Sequence, residues 1–299
     1  MALLDVALGY DCNVKCTYCT ITDEMRRRPM PTDFVARTMA AAAREGFDEL
    51  AFTGGEPTMR DDLPALVRLG RRLGYRHVKV ASNGLRYAHD AYLDLLLAAG
   101  VDRFHVSLHA PDDASYERVV QREGTAALRA AALGNLIRRG LDPVADLILT
   151  TATVPALERW LEALRALGLR RFALWLVSLT DANAANVTQL PRLGDVAPVL
   201  ERAFDAARAG GYEVVSLHVP RCFVPRHTEH VRHPGEERVR VVTPDAVFDL
   251  GASRLAGGIK PEACGRCRFE VRCPGLRADY AARFGVAELV PVVAEPAPR

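Results

Sequence analysis

The chain has 299 residues, 49% of them hydrophobic and 25% charged, and a formal net charge of +2 at pH 7. This composition is typical of a globular protein that is long enough for a large core, with or without a small second domain. The near-neutral charge gives no support to nucleic-acid binding. No run of about 18 apolar residues is present that could cross a membrane.

Residues 1–9 lack the basic start and the long apolar run of a signal peptide. We therefore expect a cytoplasmic protein. Because thiols stay reduced in that compartment, clusters among the seven cysteines indicate metal binding or catalysis rather than disulfides.

Short apolar runs alternate with helical patterns up to about residue 217. The predicted strands are Leu3–Leu8, Glu49–Phe52, His77–Ala81, Phe104–Leu108, Val144–Leu149, Phe172–Val177 and Glu213–Leu217. The predicted helices are Asp33–Arg44, Asp62–Leu73, Ala91–Ala99, Ala126–Arg139, Ala156–Leu167 and Asp195–Ala209. This alternation predicts parallel strands joined by right-handed crossovers. A doubly wound sheet and a partial (β/α)6 TIM-like barrel both fit it, and we take the α/β partial barrel as the expected fold.

The composition changes after this region. Residues 218–293 are richer in proline, glycine, histidine and cysteine and are expected to form a small C-terminal domain, separate from a core at residues 1–217. Residues 294–299 have little to bury and are predicted to be a disordered tail.

A first cysteine cluster follows the first predicted strand. Cys12, Cys16 and Cys19 have C-x3-C-x2-C spacing, which lets three thiolates converge on one metal centre. A [4Fe–4S] cluster normally takes four cysteines, so three would leave one iron with an open position. An open position is typical of a site that binds a substrate or cofactor. The alternative is a zinc site with a distant fourth ligand.

The segment from Cys12 to Cys19, with Tyr18 just before the third cysteine, resembles the signature of the radical S-adenosylmethionine (SAM) superfamily. The resemblance implies that SAM chelates the unique iron of a [4Fe–4S] cluster through its amino and carboxylate groups. It also implies reductive cleavage of SAM to methionine and a 5′-deoxyadenosyl radical, which removes a hydrogen atom from the substrate. Tyr18 is then expected near the adenine.

Three further motifs follow successive predicted strands in the order that the family shows. Thr53-Gly54-Gly55-Glu56-Pro57 resembles the family's GGEP segment. Its glycines would let the backbone approach a ligand, and the resemblance assigns Glu56 to the amino group of SAM. Ser82-Asn83-Gly84 resembles the turn that faces the ribose and carboxylate of SAM.

The third motif is Val106-Ser107-Leu108-His109, in which Ser107 is expected to face SAM. His109 stands where many relatives have an aspartate and is our candidate catalytic residue. Thr150 and Arg118 lie at positions where relatives line the cavity or meet the carboxylate of SAM.

Other residues are assigned more generally. Trp175 is expected in the core or in the cavity wall, and Asp146 and Glu24 are, with His109, the candidate general bases. The run Arg26-Arg27-Arg28 predicts a solvated loop, with contact to an anionic substrate as the alternative.

A second cysteine set lies near the C-terminus. Cys222 precedes Cys264, Cys267 and Cys273, and these four match the ligand count of a complete second [4Fe–4S] cluster. Structural zinc is the alternative. The C-x2-C-x5-C spacing resembles the auxiliary-cluster domains called SPASM and twitch, but Arg277 stands where the full SPASM pattern has another cysteine. Residues 218–293 are therefore expected to be a small Fe–S domain, whose cluster either transfers electrons or only stabilises the domain.

Four histidines lie close to Cys222. His218, His227, His230 and His233 could suggest a metal site, but neighbouring proline and glycine residues favour an exposed loop.

The resemblance implies a radical SAM oxidoreductase that oxidises or rearranges a small molecule or a peptide, supplied with electrons by a flavodoxin- or ferredoxin-like reductant. One alternative is a maturase that forms a crosslink or thioether in a ribosomally made peptide. Only eleven residues precede Cys12, which argues against an N-terminal leader-binding domain. A different class of protein, a non-catalytic iron–sulfur electron carrier or redox sensor, is the remaining alternative.

Overall fold

The computed structural model describes residues 1–234, 236–253 and 257–293, so the predicted tail at 294–299 lies outside the described residues. The strands are β1 Ala2–Ala7, β2 Glu49–Thr53, β3 His77–Ser82, β4 Arg103–Leu108, β5 Val144–Leu149, β6 Arg171–Leu176, β7 Glu213–Leu217, β8 Val231–Arg232, β9 Arg238–Val242 and β10 Val247–Asp249. The α-helices are α1 Thr32–Arg44, α2 Leu63–Arg72, α3 Asp90–Ala99, α4 Asp113–Val120, α5 Thr125–Arg138, α6 Leu157–Ala166, α7 Leu193–Gly210 and α8 Ala278–Phe284. None of these helices is both long and apolar enough to span a lipid bilayer.

All ten strands form one sheet in the order β10-β9-β1-β2-β3-β4-β5-β6-β7-β8. Neighbouring strands are parallel throughout this sheet except for the pair β9 and β10, which is antiparallel. Strands β1 to β7 follow chain order without the reversal that marks a doubly wound sheet. The expected α/β partial barrel is therefore confirmed, with a sheet that does not close.

The C-terminal segment adds strands to both edges of this sheet. Strand β8 pairs with β7 at one edge, and β9 pairs with β1 at the other. Only six residue steps separate Arg232 from Arg238, and a fully extended chain of that length spans at most about 22 Å. The two edges must therefore lie close together, which requires a strongly curved sheet.

The two faces of the sheet differ in composition. In β3 and β4 every second residue is fully buried, including Val78, Val80 and Phe104, and packs into the main hydrophobic core with residues of the helices. The alternate positions are only partly buried and carry polar groups such as Lys79 and Ser107. A parallel sheet covered on both faces would be apolar at all positions. The alternation thus leaves a polar concave face, whose carboxyl end holds the candidate site.

Candidate active site

The three N-terminal cysteines line one cavity at the carboxyl ends of β1 to β5, with about 760 Å³ of space free of protein atoms. We call it the N-terminal cysteine cavity. Its walls are formed by Cys12, Val14, Cys16, Tyr18, Cys19, Ile21, Arg26, Thr53, Gly54, Gly55, Ala81, Ser82, Asn83, Ser107, His109 and Ile148. The structure therefore brings together residues from all four motifs.

Main-chain contacts and one arginine hold the cysteine loop in place. The backbone amides of Lys15 and Thr17 donate to carbonyls at the end of α4, at 3.1 and 2.8 Å. Arg26 donates to the carbonyl oxygens of Cys12 and Val14, at 3.1 and 3.2 Å. The arginine run is therefore not a purely solvated loop, because Arg26 is hydrogen-bonded to the backbone of the cysteine loop. The run of like charges in the sequence was the only signal for this role.

Burial makes the thiolate form of two of these cysteines, Cys12 and Cys16, costly. Desolvation raises the pKa of Cys12 and of Cys16, and the neighbouring cysteine sulfurs raise it further. A cationic metal centre would remove this penalty, since thiolates ligate such centres in the deprotonated state. Three thiols that crowd one cavity thus fit the iron–sulfur cluster that the motif implies.

Gly54 and Gly55 allow two loops to touch. A Cβ atom on Gly55 would lie 2.1 Å from the carbonyl oxygen of Asp11, and one on Gly54 would lie 2.3 Å from that of Gly9. Gly54 also has a φ of +112°, which disfavours other residues. The amide of Gly55 donates to Gly9 at 2.9 Å, and that of Glu56 to Asp11 at 2.8 Å. The glycines therefore serve the close packing of the cysteine loop as well as opening the cavity wall.

The Glu56 carboxylate joins the GGEP segment to the turn after β3. It accepts hydrogen bonds from the amide and hydroxyl of Thr58, at 3.0 and 2.6 Å, from the Ser82 hydroxyl at 2.7 Å and from the Asn83 amide at 2.7 Å. Burial raises the pKa of Glu56, and these four donors oppose that rise. Glu56 and Pro57 line a smaller neighbouring cavity instead of the cysteine cavity. The assignment of Glu56 to the amino group of SAM stays a prediction.

The other predicted SAM contacts separate into two groups. Tyr18, Ser82, Asn83 and Ser107 line the N-terminal cysteine cavity, and the side-chain amide of Asn83 lies 3.9 Å from Cys12 Sγ. The buried Thr150 side chain is hydrogen-bonded to Thr153, and Ile148 rather than Thr150 lines the N-terminal cysteine cavity.

Arg118 lies on the exposed side of α4, away from the lining of the N-terminal cysteine cavity. Its predicted contact with the carboxylate of SAM has no support from this placement.

His109 is buried in the cavity wall. Its Nδ1 is hydrogen-bonded to the Tyr18 hydroxyl, its Nε2 lies 4.0 Å from Cys16 Sγ, and its ring stacks on Tyr116. Burial lowers the pKa of His109 to about 4, with a smaller contribution from Arg129. A neutral imidazole is therefore present in the wall at pH 7.

The other two candidate bases differ in their surroundings. The Asp146 carboxylate is buried on the concave face, where it accepts from Trp175 Nε1 at 3.0 Å and lies 3.1 Å from His105 Nδ1. Trp175 is half-buried beside Asp146 and His218. Glu24 is exposed and pairs with Arg28 at 3.0 Å, which gives it no place among the cavity walls.

The four C-terminal cysteines line a second cavity, with about 350 Å³ of space free of protein atoms, which we call the C-terminal cysteine cavity. Burial raises the pKa of Cys222 to about 12, and the sulfurs of Cys273, Cys267 and Cys264 add to that rise. The Gly275 amide donates to Cys273 Sγ at 3.4 Å. The structure thus joins Cys222 to the three cysteines that lie more than 40 residues later in the chain.

The expectation of an exposed histidine loop is wrong, because none of the four histidines is exposed. His227 is 1% exposed and His233 is 7% exposed. The proline-rich turns fold against α7, where Phe204 stacks on His230 at 4.6 Å between ring centroids. His227, Glu229 and His230 bring potential metal ligands within 4.8 Å of one another. The Arg208 guanidinium already donates to Glu229 at 3.0 Å, so this group is an ion-pair network.

A third cavity lies between the ends of β6 and β7 and the C-terminal cysteine segment. We call it the His218–His233 cavity. Its lining comprises Ser178, Thr180, His218, His233, Pro234, Leu250, Gly257, Gly258, Pro274, Gly275, Arg277, Ala278 and Asp279. Arg277 is paired with Asp279 at 2.6 Å, and burial lowers the pKa of both histidines to about 4. In the described part of this lining, the charges of Arg277 and Asp279 therefore cancel.

Comparison with known protein families identifies the N-terminal half of the chain. Residues 6–151 match the family model described as the radical SAM superfamily. The chain carries a radical SAM domain. This domain spans the three N-terminal cysteines and the three motifs after β2, β3 and β4, so the family resemblance is confirmed.

Curated relatives match the radical SAM domain over part of their length. GTP 3′,8-cyclase of Mycolicibacterium smegmatis is 34% identical over 158 residues, which cover 48% of this chain and 43% of that protein. A probable GTP 3′,8-cyclase of Saccharolobus solfataricus is 32% identical over 117 residues, or 39% and 37% of the two chains. The chain thus spans less than half the length of these relatives.

Solved structures extend the similarity in fold beyond the radical SAM domain. Streptococcus suis SuiB bound to S-adenosylmethionine superposes with a TM-score of 0.71 at 12% identity, covering 97% of this chain and 76% of that one. The enzyme anSMEcpe, with bound AdoMet and a Kp18Cys peptide, gives a TM-score of 0.68 at 13% identity and covers 95% and 94%. At such low identity these matches establish a shared fold alone.

Proposed function

We propose that this protein is a radical SAM oxidoreductase that reductively cleaves SAM, removes a hydrogen atom from its substrate through the resulting 5′-deoxyadenosyl radical, and oxidises a small molecule or peptide. One observation carries the proposal: Cys12, Cys16 and Cys19 share a cavity with Asn83 and Ser107. When bound there, a [4Fe–4S] cluster supplies the electron for SAM cleavage. The chain's own residues hold the cluster and form the walls around SAM.

The spacing of the sulfur atoms supports clusters over zinc at both sites. A tetrahedral zinc ion with bonds of about 2.3 Å needs sulfur atoms about 3.8 Å apart. Within the described residues, the only set of three ligand atoms within 4.8 Å of one another is the His227 group, which contains no cysteine. Cysteine sulfurs spaced more widely suit a cubane, in which each sulfur binds a different iron atom.

A second [4Fe–4S] cluster in the C-terminal cysteine cavity would have all four irons bound by protein. Such a cluster offers no position for a substrate, and its role in this proposal is to accept the electron that remains after hydrogen abstraction. This role favours net oxidation. Residues 218–293 would then be the auxiliary-cluster domain, although β8 and β9 extend the sheet of the core.

The His218–His233 cavity bears on the class of substrate. Its single arginine is paired with Asp279 and its histidines are neutral, so its described lining offers no free cation for a triphosphate. This favours an uncharged small molecule or a peptide over a nucleoside triphosphate, the kind of substrate named for the GTP 3′,8-cyclase relatives. A maturase acting on a ribosomally made peptide is the second candidate, since a structure of the similarly folded SuiB is bound to its precursor peptide SuiA.

Anaerobic reconstitution of the chain followed by incubation with SAM and dithionite tests the proposal. We expect about eight irons per chain and release of 5′-deoxyadenosine. The matched control is Cys12→Ala/Cys16→Ala/Cys19→Ala, which should keep about four irons and release none. A fully loaded wild-type protein that forms no 5′-deoxyadenosine would favour an electron carrier or redox sensor instead.

A further inference from the structure

The ring of His109 connects two residues of the same cysteine loop. Its Nδ1 is hydrogen-bonded to the Tyr18 hydroxyl, and its Nε2 lies 4.0 Å from the sulfur of Cys16. One face of the ring stacks on Tyr116, with ring centroids 5.8 Å apart. Tyr116 is itself fully buried and held by Arg129 over its face. The orientation of the imidazole is therefore set by packing on several sides.

These contacts decide which ring nitrogen carries the hydrogen. A cysteine that ligates an iron–sulfur cluster is deprotonated, so its sulfur can only accept a hydrogen bond. The contact between the His109 ring and the Cys16 sulfur must therefore be donated by Nε2, which leaves Nδ1 to accept from the Tyr18 hydroxyl. Nε2 is then the N–H donor, and it lies 4.0 Å from the Cys16 sulfur.

We propose that His109 is a positioning residue that donates its Nε2 hydrogen to the Cys16 sulfur and thereby raises the reduction potential of the cluster held by the N-terminal cysteines. The inference rests on the proposed function only in requiring a cluster at these cysteines. Reduction adds negative charge to the cluster, and a hydrogen bond to a ligand sulfur stabilises that charge. An aspartate, which the family resemblance leads us to expect at this position, has no such N–H to donate.

The test is an anaerobic redox titration of the reconstituted full chain, followed by electron paramagnetic resonance. The relevant signal is the one that is lost in Cys12→Ala/Cys16→Ala/Cys19→Ala, so its assignment does not depend on SAM. His109→Phe keeps a ring but removes the donor. We expect the ratio of reduced to oxidised cluster at a fixed potential to fall about tenfold, which corresponds to a shift of 59 mV for one electron.

Two further variants separate hydrogen bonding from packing. His109→Gln keeps an N–H group near the same place and is expected to restore part of the shift. Tyr18→Phe removes the hydroxyl that fixes the tautomer and should lower the potential in the same direction by less. The exposed His89 provides the control, since His89→Phe should leave the midpoint unchanged.

An unchanged midpoint in His109→Phe, at full iron content, would overturn the proposal. Equal shifts in His109→Phe and His109→Gln would do the same, because they would assign the effect to packing. If His109→Phe holds too little iron to titrate, an unchanged midpoint in Tyr18→Phe overturns it. A shifted midpoint in a protein that never cleaves SAM would count against the proposed function while supporting this role of His109.

Discussion

Replacing Gly55 by alanine is expected to remove iron from the N-terminal cysteines and to leave the C-terminal ones loaded. The added Cβ would lie 2.1 Å from the Asp11 oxygen and 2.5 Å from the Tyr10 carbonyl carbon. Both contacts are with backbone atoms just before Cys12, so a side-chain rotation cannot relieve them. The loop would have to move by at least about 1.3 Å to reach ordinary van der Waals contact.

The cost follows from the contacts that this movement changes. Overpacking of this kind typically costs about 1–3 kcal/mol. The two hydrogen bonds that join the loops, from Gly55 to Gly9 and from Glu56 to Asp11, would add about 0.5–1.5 kcal/mol each if they break. The unfolding free energy should thus fall by about 2–6 kcal/mol, which lowers the melting temperature by at least about 3 °C.

The assay combines iron analysis with thermal unfolding. Gly55→Ala should retain about four irons per chain where the wild type holds about eight. Gly265→Ala is the matched control, because its Cβ would meet no atom within 4 Å although it lies between two C-terminal cysteines. If Gly55→Ala matches Gly265→Ala in both iron content and melting temperature, the close contact between the two loops does not govern cluster binding.

Three other predictions test separate parts of the structure. Burial lowers the pKa of His218 to about 4, so the imidazole binds a proton more readily in the unfolded chain than in the folded one. The unfolding free energy should therefore fall by about 3 kcal/mol between pH 6.5 and pH 4. In denaturant titrations, His218→Phe should lose less stability than the wild type over this pH range, and an equally steep loss would contradict the assignment. Cys222→Ser should lower the iron content from about eight to about four while SAM cleavage persists, and unchanged iron analysis would exclude Cys222 as a ligand. Arg26→Met leaves two carbonyls of the cysteine loop without their donor and should lower the unfolding free energy by about 1–3 kcal/mol, whereas Arg27→Met, at an exposed position, should have little effect in the same titration.

The core strands could be predicted because their signal is local. The predicted strands Val144–Leu149 and Glu213–Leu217 coincide with β5 and β7, and the other predicted core strands differ from the observed ones by one residue at one or both ends. The small strands could not be predicted in this way. Residues 231–232 form a strand only because they pair with the open edge of β7. Residues 238–242 do so because they pair with β1 at the other edge of the sheet.

The histidine loop was mispredicted for a related reason. Proline and glycine indicate turns, but turns are not necessarily exposed. His227 is buried because Phe204 on α7 packs against it. No pattern within residues 218–233 contains that information.

The sequence by itself determined where the chemistry lies. The carboxyl ends of consecutive parallel strands meet at one edge, so motifs placed after β1 to β4 must converge, and cysteine spacing alone indicated the cluster. Only the tertiary structure decided how each side chain is used. In the folded chain the Glu56 carboxylate accepts hydrogen bonds from Thr58, Ser82 and Asn83, and the His109 imidazole contacts both Tyr18 and Cys16. Hydrogen bonds of this kind depend on distances of a few tenths of an ångström between residues far apart in the chain, which follow from packing rather than from residue spacing.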